Sequence, residues 1–160
     1  MIAVRRCSDR SALAAFLLPV GVNNFKPELA SLLTTEIIEA AIASWDIVEF
    51  FDTAKEVIVG VASREPNHHI HLYVDPGRRS SWQPHSSLQG MLDIFLSDCD
   101  RLYAAIPLTN KIALSLAHKM GFLHTGTKDG IASHMLTPQS RKNLLAEYQA
   151  LQQKLKPHSD

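Results

Sequence analysis

Apolar positions change their period several times along the chain, and each change predicts an element. IAVRRC begins with β-branched alternation and reads as a short first strand. Ser8 is an N-cap for DRSALAAFLL, a helix expected to stop at Pro19, and VGVNNF follows as a loop by its glycine and paired asparagines. Pro27 suits a first helical position with Glu28 in the first turn, so KPELASLLTTEIIEAAIAS is mostly helical, with an interruption at Thr34-Thr35. The period then shortens to two. WDIVEFFD and EVIVGVASRE are strands joined by the polar turn DTAK, and the pair PN leads into HHIHLYVDP, which makes an antiparallel meander of three strands.

Helical spacing returns in SLQGMLDIFLSDCD, where Leu88, Met91, Leu92 and Phe95 share a face behind the capping-box pattern of Ser86 and Gln89. RLYAAIPL is a strand and Asn110 to Lys119 the next helix. FLHTG and ASHMLTP form a hairpin across KDG. The last helix, SRKNLLAEYQALQQKLK, carries Leu144, Tyr148, Leu151 and Leu155 on one stripe, which is expected to dock on its own domain or, as the minority alternative, to line a dimer seam. Together these elements make an α+β order. The strand–helix–strand passage between Leu72 and Leu108 requires a crossover, hence parallel or near-parallel neighbours.

Length and composition narrow the class. The 160 residues suit one domain, and 46% hydrophobic with 20% charged residues is the profile of a soluble globular chain. A formal net charge of zero removes any compositional case for nucleic acid or an anionic membrane as main partner. Cys7 and Cys99 show no paired spacing and read as free thiols in a reducing compartment. MIAVRRCSDR is too soon charged for a secretory leader and no apolar run reaches the length of a membrane span, so a cytoplasmic location is expected.

One group of residues carries chemistry. Asn110, Ala113, Lys119, Gly121 and Phe122 keep the spacing N-x-x-A…K-x-G-F, and Val74-Asp75-Pro76 runs into Arg78-Arg79 ahead of the preceding helix. This pattern, with the element order from Ile2 to Pro138, resembles the Gcn5-related N-acetyltransferase (GNAT) superfamily. The resemblance implies a GNAT-like domain over residues 1–138 and a C-terminal helical extension over 139–160. It implies splayed parallel strands that admit acetyl-CoA as acyl donor, with pantetheine pairing to the strand edge of Leu72, Tyr73 and Val74. Arg78, Arg79, Ser80 and Ser81, with the following helix N-terminus, would hold the pyrophosphate, and Asn110 the pantetheine. The implied reaction is direct attack of an amine on the thioester, with no metal.

Two departures from the family pattern bear on activity. Counting from Arg79, the loop reads Arg79-Ser80-Ser81-Trp82-Gln83-Pro84, so Trp82 adds bulk and Pro84 lacks an amide where the family carries glycines. Glycine at both positions is therefore expected to tighten CoA binding, unless a longer loop running to Ser86 restores the nest in another register. The tyrosine that many members use as general acid falls at Ala117. The adjacent His118 points about 100° away on a helix.

His69 and His71 alternate onto one face of the fourth strand and His68 onto the other. His71 is the candidate general base, with Glu65 and Glu49 as alternatives through a water; the bland alternative is polar residues on a partly exposed strand. Two histidines without a placed third are weak as a metal site. Three functions follow: an N-acyltransferase for an amine of unknown identity, a scaffold with a decayed cofactor loop as in a phage-derived protein, or a CoA-sensing module. Homodimerisation is compatible with each.

Overall fold

The computed structural model describes residues 1–24 and 27–155. They form two compact units, one of Met1–Asn67 with His71–Ile94, the other of His68–Ile70 with the chain from Phe95 onward.

The first unit is built on a sheet in the order β1-β2-β3-β4, from Ile2–Arg6, Asp46–Asp52, Val57–Arg64 and Ile70–Val74. β1 pairs antiparallel with β2, and β2 with β3, with a bulge between Phe50 and Phe51. At that bulge Gly60 lets β3 approach β4 closely, because a Cβ there would stand 2.8 Å from the Tyr73 carbonyl oxygen. Helices α1 (Arg10–Asn24) and α3 (Thr35–Ala41) contribute to the cluster on one sheet face, where Leu13, Ile42, Ile47 and Val61 are buried with Phe16, Leu17 and Ile38 against them. Helix α4 (Pro84–Phe95) buries Leu88, Met91 and Leu92, and its Gly90 rests on Val4 of β1. Each fully buried side chain of this size contributes about 1.5–3 kcal/mol.

Two of the expected helix ends move, and the expected interruption is met. Helix α1 runs through Pro19 to Asn24 instead of stopping, so the loop expected from Val20 is helical as far as it is described; Phe25 lies outside the described residues. Pro19 deprives the Ala15 carbonyl of its donor, but both residues are exposed, and solvent can serve the orphan acceptor. The interruption at Thr34 is found: after the single turn α2 (Pro27–Ala30), Thr34 caps α3 by accepting from the Ile37 amide at 3.3 Å. Helix α4 begins at Pro84, ahead of the expected Ser86 start, because proline at a first helical position forfeits only an amide that would have had no partner.

The second unit holds an antiparallel sheet in the order β5-β7-β6, from Leu102–Pro107, Ile131–Leu136 and Leu123–Lys128. The β6–β7 hairpin turns at Asp129 and Gly130, both with positive φ (51° and 76°), the backbone of a two-residue primed turn. The parallel neighbour expected from the crossover is met at one bridge, His69 with Tyr103, where the Tyr103 amide donates to the His68 carbonyl at 3.0 Å. Helices α5 (Lys111–Met120) and α6 (Pro138–Leu155) complete the unit. Thr137 and Ser140 cap α6 reciprocally, each amide donating to the other's hydroxyl at 3.0 Å.

Cover along the leucine stripe of α6 decreases from its start to its end. Ser140 is buried and Leu144 half-buried, but Leu151 is 54% and Leu155 80% exposed. An 18-residue helix extends about 27 Å, and only its first turns find cover among the described residues. No helix among those residues is long and apolar enough to cross a membrane.

Candidate active site

In the first unit, strand β4 forms one wall of a pocket of about 180 Å³. Leu17, Ile42, Ile47 and Val61 line it, with Trp45 and His71. The turn bearing Trp45 is held from below, because the Arg10 guanidinium donates to the carbonyls of Ile42 (2.7 Å) and Trp45 (2.8 Å). The His71 ring then lies flat on Trp45, with centroids 5.5 Å apart and planes 15° from parallel.

His71 Nε2 stands 2.8 Å from Glu65 Oε2. In the neutral imidazole a carboxylate partner places the proton on Nε2 and leaves Nδ1 as the basic atom. Two of the three candidate bases, His71 and Glu65, are thus brought together as a hydrogen-bonded pair. Glu49 is committed elsewhere: it is buried, pairs with Arg5 Nε at 3.1 Å, and faces Cys7. The Cys7 thiol is pushed above its usual range by burial first, then by the charge of Glu49 and a hydrogen bond to it. The other histidines lie apart. His69 packs on Tyr103 in the second unit, with ring centroids 5.5 Å apart, and His68 has a left-handed backbone (φ 69°), so strand alternation does not reach it. Among the described residues no group of three or more His, Cys, Asp or Glu is arranged to hold a metal ion.

Leu72, Tyr73 and Val74 belong to the last strand of their sheet, so one edge of β4 has no strand partner within it. Leu72 is exposed, while Tyr73 meets Phe16 edge-on at 5.8 Å between centroids. Burial raises the Tyr73 phenol above its ordinary value, Asp75 adds to the rise, and Arg79 opposes it.

Asp75 opens the next turn by accepting from the Gly77 amide (2.9 Å) and from Arg78 Nε (3.1 Å). Arg78 is thus partly neutralised, whereas Arg79 and Ser80 are exposed. Ser81 turns inward: its amide (3.1 Å) and hydroxyl (3.0 Å) both donate to the Arg78 carbonyl. Trp82 is 8% exposed and packs on Phe50 with ring centroids 5.7 Å apart, and the Ser87 hydroxyl donates to its carbonyl. Its bulk enters the core and anchors the loop, contrary to the expectation that it occupies a glycine-like position. Gln83 then takes a positive φ of 50° into Pro84. The proline-at-first-turn rule, applied to Pro84, would have revealed this register from sequence.

In the second unit, Asn110 caps α5: its Oδ1 accepts from the Ala113 amide at 3.1 Å. That spends the carbonyl oxygen and leaves the Nδ2 amide as its remaining side-chain donor. Gly121 ends the helix in the left-handed region (φ 96°), and the Phe122 amide bonds back to the Ala117 carbonyl at 3.0 Å. Glycine is doubly required, since a Cβ would lie 2.9 Å from the Arg141 Cα. Ala117 is buried and His118 exposed, so His118 does not replace the missing tyrosine.

Trp45 was legible only as an apolar residue, and nothing local marks it as the platform for His71. Glu65 carried a signal: it precedes the Pro66-Asn67 turn that brings β3 and β4 side by side.

No protein-family model matches the chain, and no curated protein matches it in sequence. Solved structures do match in fold. A spermidine N-acetyltransferase from Vibrio cholerae, in complex with CoA and spermine, superposes with a TM-score of 0.67 at 12% identity, covering 89% of this chain and 98% of that one. A protein from Desulfovibrio desulfuricans assigned to the GNAT family gives 0.59 at 17% identity, covering 86% and 99%. A protein from Acinetobacter baylyi named as an acetyltransferase gives 0.63 at 19% identity, covering 86% and 92%. The chain has the acyl-CoA N-acyltransferase (GNAT) fold, as its motif resemblance implied.

Proposed function

We propose that the chain is an N-acyltransferase that moves an acetyl or other small acyl group from a CoA thioester to an amine. The observation that carries the proposal is the His71–Glu65 pair at a pocket walled by β4, the strand whose unpaired edge suits a pantetheine. The fold supports a CoA thioester as donor. Exposed Arg79 and Ser80 and the first-turn amides of α4 have the chemistry for the pyrophosphate.

The acceptor nitrogen attacks the thioester carbonyl carbon and a C–N bond forms. Its proton passes to Nδ1 of His71, and Glu65 steadies the imidazolium through Nε2. The C–S bond breaks with its electron pair to sulfur, and the departing thiolate takes up a proton.

Titration calorimetry with acetyl-CoA, paired with a thiol-release assay over an amine panel, tests the proposal. Linkage at a hundredfold excess over the dissociation constant should add about 2.7 kcal/mol of stability. No binding at millimolar acetyl-CoA would instead select the scaffold reading, which the inward-turned Ser81 and the Asp75-bound Arg78 favour. Binding without turnover on any amine would select the sensing module.

A further inference from the structure

From the walls of the β4 pocket we infer the class of acceptor: a monoamine carrying one compact apolar body, of the size of a single ring or a short branched chain, and not a polyamine. The inference rests on the acyltransferase proposal only for the chemistry at His71; the fit to the pocket stands on its own.

Leu17, Ile42, Ile47 and Val61 present hydrocarbon to the interior, and Trp45 adds an aromatic face. Among the described residues, no Asp, Glu, Lys or Arg lines the pocket. The volume of about 180 Å³ is suited to one ring. An apolar cavity of about 150 Å³ stays dry and accepts benzene. Ser63 and Tyr73 also line the pocket, and its one histidine is held in place, because His71 is stacked on Trp45 and bonded to Glu65. A ligand with one apolar end and one amine can satisfy both regions, its body against Ile42 and Val61 and its nitrogen at His71. A second ammonium further along the chain would find no carboxylate among the described lining residues, and burying an unpaired cation is strongly unfavourable.

Two measurements test this. Saturation-transfer NMR with 2-phenylethylamine, without CoA, reads occupancy of the pocket in the parent, in Val61→Phe and in Leu17→Phe. Both substitutions fill the pocket, and the half-buried Leu17 site accommodates extra bulk should Val61→Phe fail to fold. Binding at least tenfold weaker in the filled variants is expected. Thiol release from acetyl-CoA then compares 2-phenylethylamine and 3-methylbutylamine with spermidine, and a kcat/KM at least tenfold higher for the two monoamines is expected. Binding that ignores the filled pocket, or a preference for spermidine, overturns the inference. Loss of binding on filling, with no thiol released by any amine, keeps the pocket assignment and removes acyl transfer.

Discussion

The imidazole of His71 lies parallel to the indole of Trp45, 5.5 Å between centroids, while its Nε2 reaches Glu65 at 2.8 Å. Two contacts thus define both the plane and the tautomer of one exposed histidine. If His71 is the base, His71→Ala should lower kcat by about 10²–10⁴-fold and leave acetyl-CoA affinity unchanged. Glu65→Gln keeps the hydrogen bond, removes the charge, and should cost less. Steady-state kinetics with a competent amine decides the matter, and an unchanged kcat in His71→Ala would remove His71 from the mechanism.

Asn110 separates capping from ligand binding. Asn110→Ala should cost about 1 kcal/mol in urea unfolding, because the Ala113 amide loses its acceptor. Asn110→Ser restores the acceptor but has no amide nitrogen. The serine variant should therefore recover stability and still bind acetyl-CoA more weakly than the parent. Equal affinity would leave Asn110 a helix cap and nothing more.

Trp82 is expected to behave as a core residue. Trp82→Gly vacates the space against Phe50 and should destabilise the fold by about 3–5 kcal/mol, and affinity for acetyl-CoA should fall with it. Trp82→Phe should lose much less. Chemical denaturation beside calorimetry measures both effects. A glycine variant that is stable and binds more tightly would return Trp82 to the role expected from loop counting.

The thiol of Cys7 predicts an alkaline weakness. Burial and Glu49 raise its folded value, so the folded state favours the neutral thiol. An unfolded chain ionises near the ordinary value of 9.0, so this contribution is complete below that pH and is lost as pH rises through the higher folded value. Tyr73, raised mainly by burial from 10.0, acts with the same sign. Melting temperatures at pH 8 and pH 10.5 should fall further in the parent than in Cys7→Ala. Parallel slopes in the two proteins would show that Cys7 carries no such linkage.

What the sequence determined by itself was everything set by local spacing. The Asp129-Gly130 turn, the Asn110 cap and the Gly121 stop are legible because the backbone demands of each are met by residues within a few positions. The β2–β3 pairing was legible for the same reason, since a period of two admits few partners across a short turn. Motif resemblance extended this to the fold. Pro19 and Trp82 were misjudged from local rules, because exposure of the Ala15 carbonyl and space beside Phe50 are properties of packing. The site depended on packing most of all. Trp45 meets His71 only after β2, β3 and β4 have aligned and Arg10 has bound the two carbonyls of the Trp45 turn. Such contacts join residues that no sequence period relates, so only the folded chain could decide which apolar side chain would support the histidine.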